Sequence, residues 1–79
     1  MKYNIKTFGI TKDILGGRIV TVELEGNTVA DLRKHLNASY PPLIELRSLF
    51  IAVNKKYAED DIALAETDEI ALIPPVSGG

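Results

Sequence analysis

Cysteine is absent from this sequence. That excludes a disulfide framework, a thiolate nucleophile and a zinc–thiolate site. Tryptophan is absent too, and the aromatics are three tyrosines and two phenylalanines. No apolar stretch approaches the ~20 residues needed to span a bilayer, so no membrane partner is expected. No signal-peptide apolar region follows Met1-Lys2-Tyr3-Asn4, which enters a strand-like pattern at once. A cytoplasmic location is the expectation. Nine basic residues against eleven acidic ones give a net charge of −2 with both signs dispersed. Without a basic patch, nucleic acid is not an expected ligand. The longest acidic run, Glu59-Asp60-Asp61, reads as a solvated turn. One histidine and three serines leave a poor inventory of nucleophiles. His35 falls among charged residues on a helix and reads as a solvated side chain. The pairs Asp60-Asp61 and Asp68-Glu69 fall in turns, where nothing pushes their pKa values apart for acid–base work. Gly16-Gly17 is too short for a phosphate-cradling loop, and no GxGxxG or GxxxxGK[ST] pattern occurs. No metal site is expected.

What is present is a regular alternation of strand and helix patterns. Seventy-nine residues form one domain with a small core. Tyr3, Ile5 and Thr7 alternate with Lys2, Asn4 and Lys6, predicting a first strand that ends near Phe8. Gly9 breaks it, and Ile10 to Leu15 is compatible with a short helical turn closed by Gly16-Gly17. From Arg18 to Glu25, Val20, Val22 and Leu24 alternate with Ile19, Thr21, Glu23 and Glu25. These two strands are expected to form an antiparallel hairpin. Thr28 is a plausible helix N-cap, with Asp31 suited to the positive end. Val29, Leu32 and Leu36 then form one buried stripe, and the helix is expected to end by Tyr40, before Pro41-Pro42. Residues 43–47 read equally as a helical turn or a loop. A third strand is expected within 48–54, with Leu49, Ile51 and Val53 on one face and Phe50 and Ala52 on the other. Asn54-Lys55-Lys56 reads as a turn, because Asn tolerates the left-handed region. Tyr57-Ala58 is a possible short strand, and the segment from Asp61 to Leu64 a turn that buries apolar side chains. Glu69 to Ile73 forms the last strand, with Ile70 and Leu72 opposite Ala71 and Ile73. The order β-β-α-β-(β)-β predicts an α+β domain: a mixed four- to five-stranded sheet packed on one main helix.

The last strand runs into Pro74-Pro75-Val76-Ser77-Gly78-Gly79. Two prolines fix φ and withhold N–H groups, so no strand continues past Ile73. The expectation is a folded body over residues 1–75 and a flexible Gly-Gly tail over 76–79. Terminal glycines alone are compatible with a frayed end. After the proline stem, they suit an arm that presents the Gly79 carboxylate to another protein's active site, with Ser77 and Gly78 slender enough to thread a channel. A carboxylate is a weak electrophile. Activation, most simply as an acyl-adenylate, would let its carbonyl accept sulfur or an amine.

The ending from Ala71 to Gly79, the strand-turn Ile51-Ala52-Val53-Asn54, and Phe8-Gly9 followed by Ile10 to Gly16 together resemble the small subunits of molybdopterin synthase. This is the sulfur-carrier branch of the ubiquitin-like β-grasp proteins. The proline pair before Val-Ser-Gly-Gly is the most specific element. A terminal Gly-Gly alone is shared with the thiamine sulfur carrier and with ubiquitin-like modifiers. Lys12 departs mildly from the family, where Arg is common. The resemblance implies that the Gly79 carboxylate is adenylated by an E1-like partner using ATP-Mg and converted to a thiocarboxylate, with a persulfide as the indirect sulfur donor. It implies insertion of the tail into the large synthase subunit and transfer of sulfur to cyclic pyranopterin monophosphate. On this reading the chain binds no cofactor and is not an enzyme on its own. Phe8, Phe50, Ala52, Ile73, Pro74, Pro75 and Val76 would form the partner-binding surface beside the tail. The thiamine carrier and an isopeptide-forming modifier are the competing readings.

Overall fold

In a computed structural model, which describes residues 1–46 and 48–75, strand β1 (Lys2–Thr7) pairs antiparallel with β2 (Ile19–Glu23). Their connection carries a six-residue helix, α1 (Ile10–Leu15), which Gly16 closes in the left-handed conformation. The principal helix α2 (Val29–Ser39) follows, then a 3₁₀ helix over Pro41–Glu45 that buries Leu43. That turn settles the open alternative at 43–45 in favour of helix: prolines at its first two positions set φ and need no N–H partner. Strands β3 (Phe50–Val53), β4 (Lys56–Tyr57) and β5 (Ile70–Ile73) complete one sheet in the order β2-β1-β5-β3-β4. β5 is central, parallel to β1 and antiparallel to β3.

The ends of α2 follow from its sequence. Thr28 accepts a hydrogen bond from the Asp31 N–H at 3.2 Å, and Asp31 accepts from the Thr28 N–H at 3.3 Å. This reciprocal capping box satisfies two of the helix's free donors. Hydrogen bonding by Thr28, side chain first and backbone second, holds the Asp31 carboxyl below the usual carboxylate range. Val29, Leu32 and Leu36 on the inner stripe are fully buried against Tyr3, Ile5, Ile51, Ile70 and Leu72 of the sheet. Fully burying each such side chain contributes about 1.5–3 kcal/mol.

The strand bounds are tighter than the alternation suggests. β3 starts at Phe50 rather than Ser48, and β5 at Ile70 rather than Glu69. The second difference has a local cause at Asn54. Its N–H donates to the Glu69 carbonyl at 2.7 Å, and its side-chain carbonyl accepts from the Glu69 N–H at 2.9 Å. A side chain thereby replaces one rung of the ladder. Asn54 and Lys55 both have positive φ (52° and 71°), as a tight turn between β3 and β4 requires. Asp68 is structural in the same corner: it accepts from the Ala65 N–H at 2.9 Å and from Asn54 Nδ2 at 3.0 Å. Those bonds, Ala65 first, hold its carboxyl low.

Candidate partner face and tail base

The register decides which side chains share the outer face of the sheet, away from α2. Lys6 lies opposite Ile19 on one side and Ala71 on the other. Ala71 lies opposite Ala52, and Ala52 opposite Tyr57. Ile19, Lys6, Ala71, Ala52 and Tyr57 therefore form one row across the sheet. Phe50 lies opposite Ile73 in the next row towards the tail, and Phe8 follows β1 beside it. Phe8 (49% exposed) and Phe50 (46%) face solvent, as do Ile19 (63%) and Tyr57 (70%). The Phe50 and Tyr57 rings stack with centroids 5.1 Å apart and planes 21° from parallel. Exposed apolar clusters on small domains are common sites of interaction, which makes this face the candidate partner surface.

The structure brings the expected residues Phe8, Phe50 and Ile73 to one face, with half-buried Pro74 and Pro75 continuing from β5. Ala52 lies on that face but is only 6% exposed, so it contributes a floor rather than an exposed contact. Its short side chain is overshadowed by larger neighbours on the same face, Phe50 two residues back on β3 and Tyr57 opposite it on β4. Val76, Ser77, Gly78 and Gly79 lie outside the described residues. Sequence alternation missed Ile19 and Tyr57. The available signals were an isoleucine in the polar phase of β2 and an aromatic directly after the Asn54-Lys55 turn.

The face is bounded by charge. A shallow hollow of about 450 Å³ beside Phe8 and Ile19 is rimmed by Lys6, Lys12 and Arg18. Lys6 pairs with Glu69 at 3.2 Å. Elsewhere, Asp60 pairs with Arg33 at 3.4 Å, which accounts for one of the acidic turns. His35 is half-buried on α2, with Nε2 3.5 Å from Ser39 Oγ, remote from the face. Among the described residues no group of three His, Cys, Asp or Glu side chains converges as a metal site. None of their helices is long and apolar enough to cross a membrane. The described residues present an exposed apolar face and a proline stem that leaves the centre of the sheet.

The family model described as the ThiS family matches residues 5–79. The molybdopterin synthase sulfur carrier subunit of Aedes aegypti is 34% identical over 92 residues, covering 100% of this chain and 90% of the relative. Among solved structures, SAMP1 of Haloferax volcanii superposes with a TM-score of 0.81 at 30% identity, covering 100% of both chains. A chain from the complex of subunits 1 and 2 of molybdopterin-converting factor from Helicobacter pylori 26695 gives a TM-score of 0.69 at 25% identity, again over 100% of both. These neighbours are sulfur carriers and modifiers of the ubiquitin-like β-grasp class, the fold expected from the sequence. The chain belongs to the ThiS family, among the molybdopterin synthase sulfur carrier subunits.

Proposed function

We propose that this chain carries sulfur on the Gly79 carboxyl group for molybdenum cofactor biosynthesis, and donates it inside the large subunit of molybdopterin synthase. The single observation that carries the reading is the union of a full-length family match reaching residue 79 with an apolar face at the base of the proline stem. An E1-like partner supplies ATP-Mg. The Gly79 carboxylate attacks the α-phosphorus, pyrophosphate leaves, and an acyl-adenylate remains. The terminal sulfur of a persulfide displaces AMP at the acyl carbon to give an acyl disulfide, and a second thiol on the donor reduces its S–S bond, which releases the thiocarboxylate and leaves a disulfide behind. The thiocarboxylate sulfur then attacks a side-chain carbon of the pterin precursor, an oxygen substituent leaves that carbon, and a thioester links the two molecules. Water cleaves the resulting thioester, which leaves sulfur on the pterin and restores the carboxylate for another cycle. Two transfers build the dithiolene on cyclic pyranopterin monophosphate.

The chain supplies docking and reach in this scheme, while catalytic side chains come from its partners in the cytoplasm. Phe8, Phe50, Ile73, Pro74 and Pro75 seat the body on the large subunit. Val76, Ser77 and Gly78 form the narrow link to the reacting carbonyl. The test is reconstitution with the large subunit and the pterin precursor. Deleting Gly79 leaves the melting temperature unchanged, because the core is complete within β1 to β5, and abolishes conversion. Conversion by a chain extended past Gly79, without trimming back to Gly-Gly, contradicts the reading.

A second reading has one specific observation in its favour. The small archaeal modifier protein 1 of Haloferax volcanii is similar at 28% identity with a TM-score of 0.78. The same activated carbonyl can accept a lysine amine in place of sulfur. Isopeptide-linked adducts on other proteins in the native host would identify that use of the tail.

A further inference from the structure

The corner between β1 and α1 is built with more care than a connection requires. Thr11 is fully buried although its side chain is polar. Its hydroxyl accepts from the Phe8 N–H at 2.9 Å and donates to the Phe8 carbonyl at 2.6 Å. The Thr11 N–H also reaches that carbonyl at 3.1 Å, and the Lys12 N–H reaches the Gly9 carbonyl at 3.1 Å. The Thr7 hydroxyl donates to the Gly17 carbonyl and ties down the far end of the connection. Phe8 and Gly9 are thus clamped from one side by a threonine the proposed chemistry does not use.

Gly9 has φ 55° and ψ −131°, a backbone region essentially closed to residues with a side chain. A Cβ built there would stand 3.2 Å from Cγ of Pro74. Such a contact forces its neighbour to give by a few tenths of an ångström. Gly9 is exposed and Pro74 lies beyond the end of β5, so this approach contributes nothing to the core. It joins the clamped corner to the first residue of the stem.

We propose that Gly9, clamped by Thr11, is a positioning residue for sulfur transfer: it is the bearing on which Pro74 sets the direction in which the stem leaves the sheet. The inference rests on the sulfur-carrier reading and extends it to a residue outside the tail. Gly79 lies five residues beyond Pro74, a reach of at most about 17–18 Å. A stem that leaves the sheet in the wrong direction must bend back before its carboxyl can enter the partner, and a misplacement of ~1 Å at a reacting centre can lower a rate ~100-fold.

The experiment is a double-mutant cycle on the thiocarboxylated chain with the large subunit. Gly9→Ala adds the Cβ, Pro74→Ala removes the Cγ it would meet, and the double variant combines them. Three quantities are read: Kd by calorimetry, the single-turnover transfer rate at saturating partner, and the melting temperature. Gly9→Ala should lower the saturated rate ~10-fold or more while changing Kd less than ~3-fold. In the Pro74→Ala background the same change should lower the rate less than ~2-fold further, because the contact is already gone. An equal loss in both backgrounds overturns the bearing and leaves only backbone strain at Gly9. A loss confined to Kd overturns it as well and makes Gly9 part of the docking face.

Thr11→Val and Thr11→Ser keep the inference testable if Gly9→Ala does not fold. Loss of transfer rate in the first and its retention in the second is expected, since Ser preserves the hydroxyl that holds Phe8. Full rate in Thr11→Val refutes the clamp. A parent chain that docks and transfers no sulfur refutes the proposed function itself, a result separate from any outcome of the cycle.

Discussion

Phe50→Ala separates docking from folding, because Phe50 divides its surface between the two. With 46% of it exposed, about half is already withdrawn from water in the isolated chain. Fully burying a phenylalanine is worth about 1.5–3 kcal/mol, so the buried half contributes about 1 kcal/mol. The stack on Tyr57 adds roughly 0.5–1 kcal/mol. The variant should therefore lose about 1.5–2 kcal/mol of stability. For a domain of this size, that lowers the melting temperature by about 6–16 °C. The domain remains folded, since the fully buried Ile51 next to it holds β3 on the core. The exposed half is what a partner would cover. Truncating an aromatic anchor at the centre of an interface typically costs more than ~1–2 kcal/mol, which weakens the complex about tenfold or more. Calorimetric titration against the large subunit, well below the variant's melting temperature, reads that loss. Ile44→Ala is the control: Ile44 is 65% exposed but sits on the 3₁₀ helix beside α2, so binding should not change. Unchanged affinity in Phe50→Ala, or equal losses in both variants, refutes the assignment of the outer sheet face to the partner.

Gly78→Val places a β-branched side chain on the threading segment. Adenylation or sulfur transfer should fall strongly while the body's affinity falls modestly, and equal rates for parent and variant would remove the channel argument. Stability should decline in acid. Asp31 and Asp68 are held below the usual carboxylate range in the folded chain, so the stability they bring is present above about pH 4 and is lost as pH falls through their lowered values. Melting curves between about pH 6 and 2 should show a shallower decline for Asp68→Asn than for the parent, and parallel curves would contradict the role given to its bonds from Ala65 and Asn54.

Much of this architecture is local and could be read from the chain. Thr28 declares the start of α2, and Val29, Leu32 and Leu36 its buried stripe. Asn54 announces the turn its positive φ confirms, and Pro74 ends β5 where its missing N–H says it must. What escaped reading depends on residues far apart in sequence. No local pattern places β5 between β1 and β3, because parallel pairing with β1 joins segments more than sixty residues apart. Ile19 and Tyr57 join the outer face only through that shared register. Ala52 alternates like an exposed residue and is shaded by larger neighbours. Thr11 looks like an ordinary polar residue of a turn until the fold sets its hydroxyl against the Phe8 backbone. The proline stem that ends β5 could be read from the chain, whereas the exposed apolar face at its base needed the sheet.

The central claim is that sulfur resides on the Gly79 carbonyl. Intact mass spectrometry of the chain purified from its native host tests this most directly. Exchange of the terminal OH for SH adds about 16 Da, and fragmentation must assign the gain to the C-terminal peptide rather than to oxidised Met1. The account predicts that gain on the C-terminal peptide, disappearing when the E1-like partner is deleted. A chain whose terminal peptide carries only an unmodified carboxylate, in cells actively making the cofactor and under conditions that preserve thiocarboxylates, would contradict it.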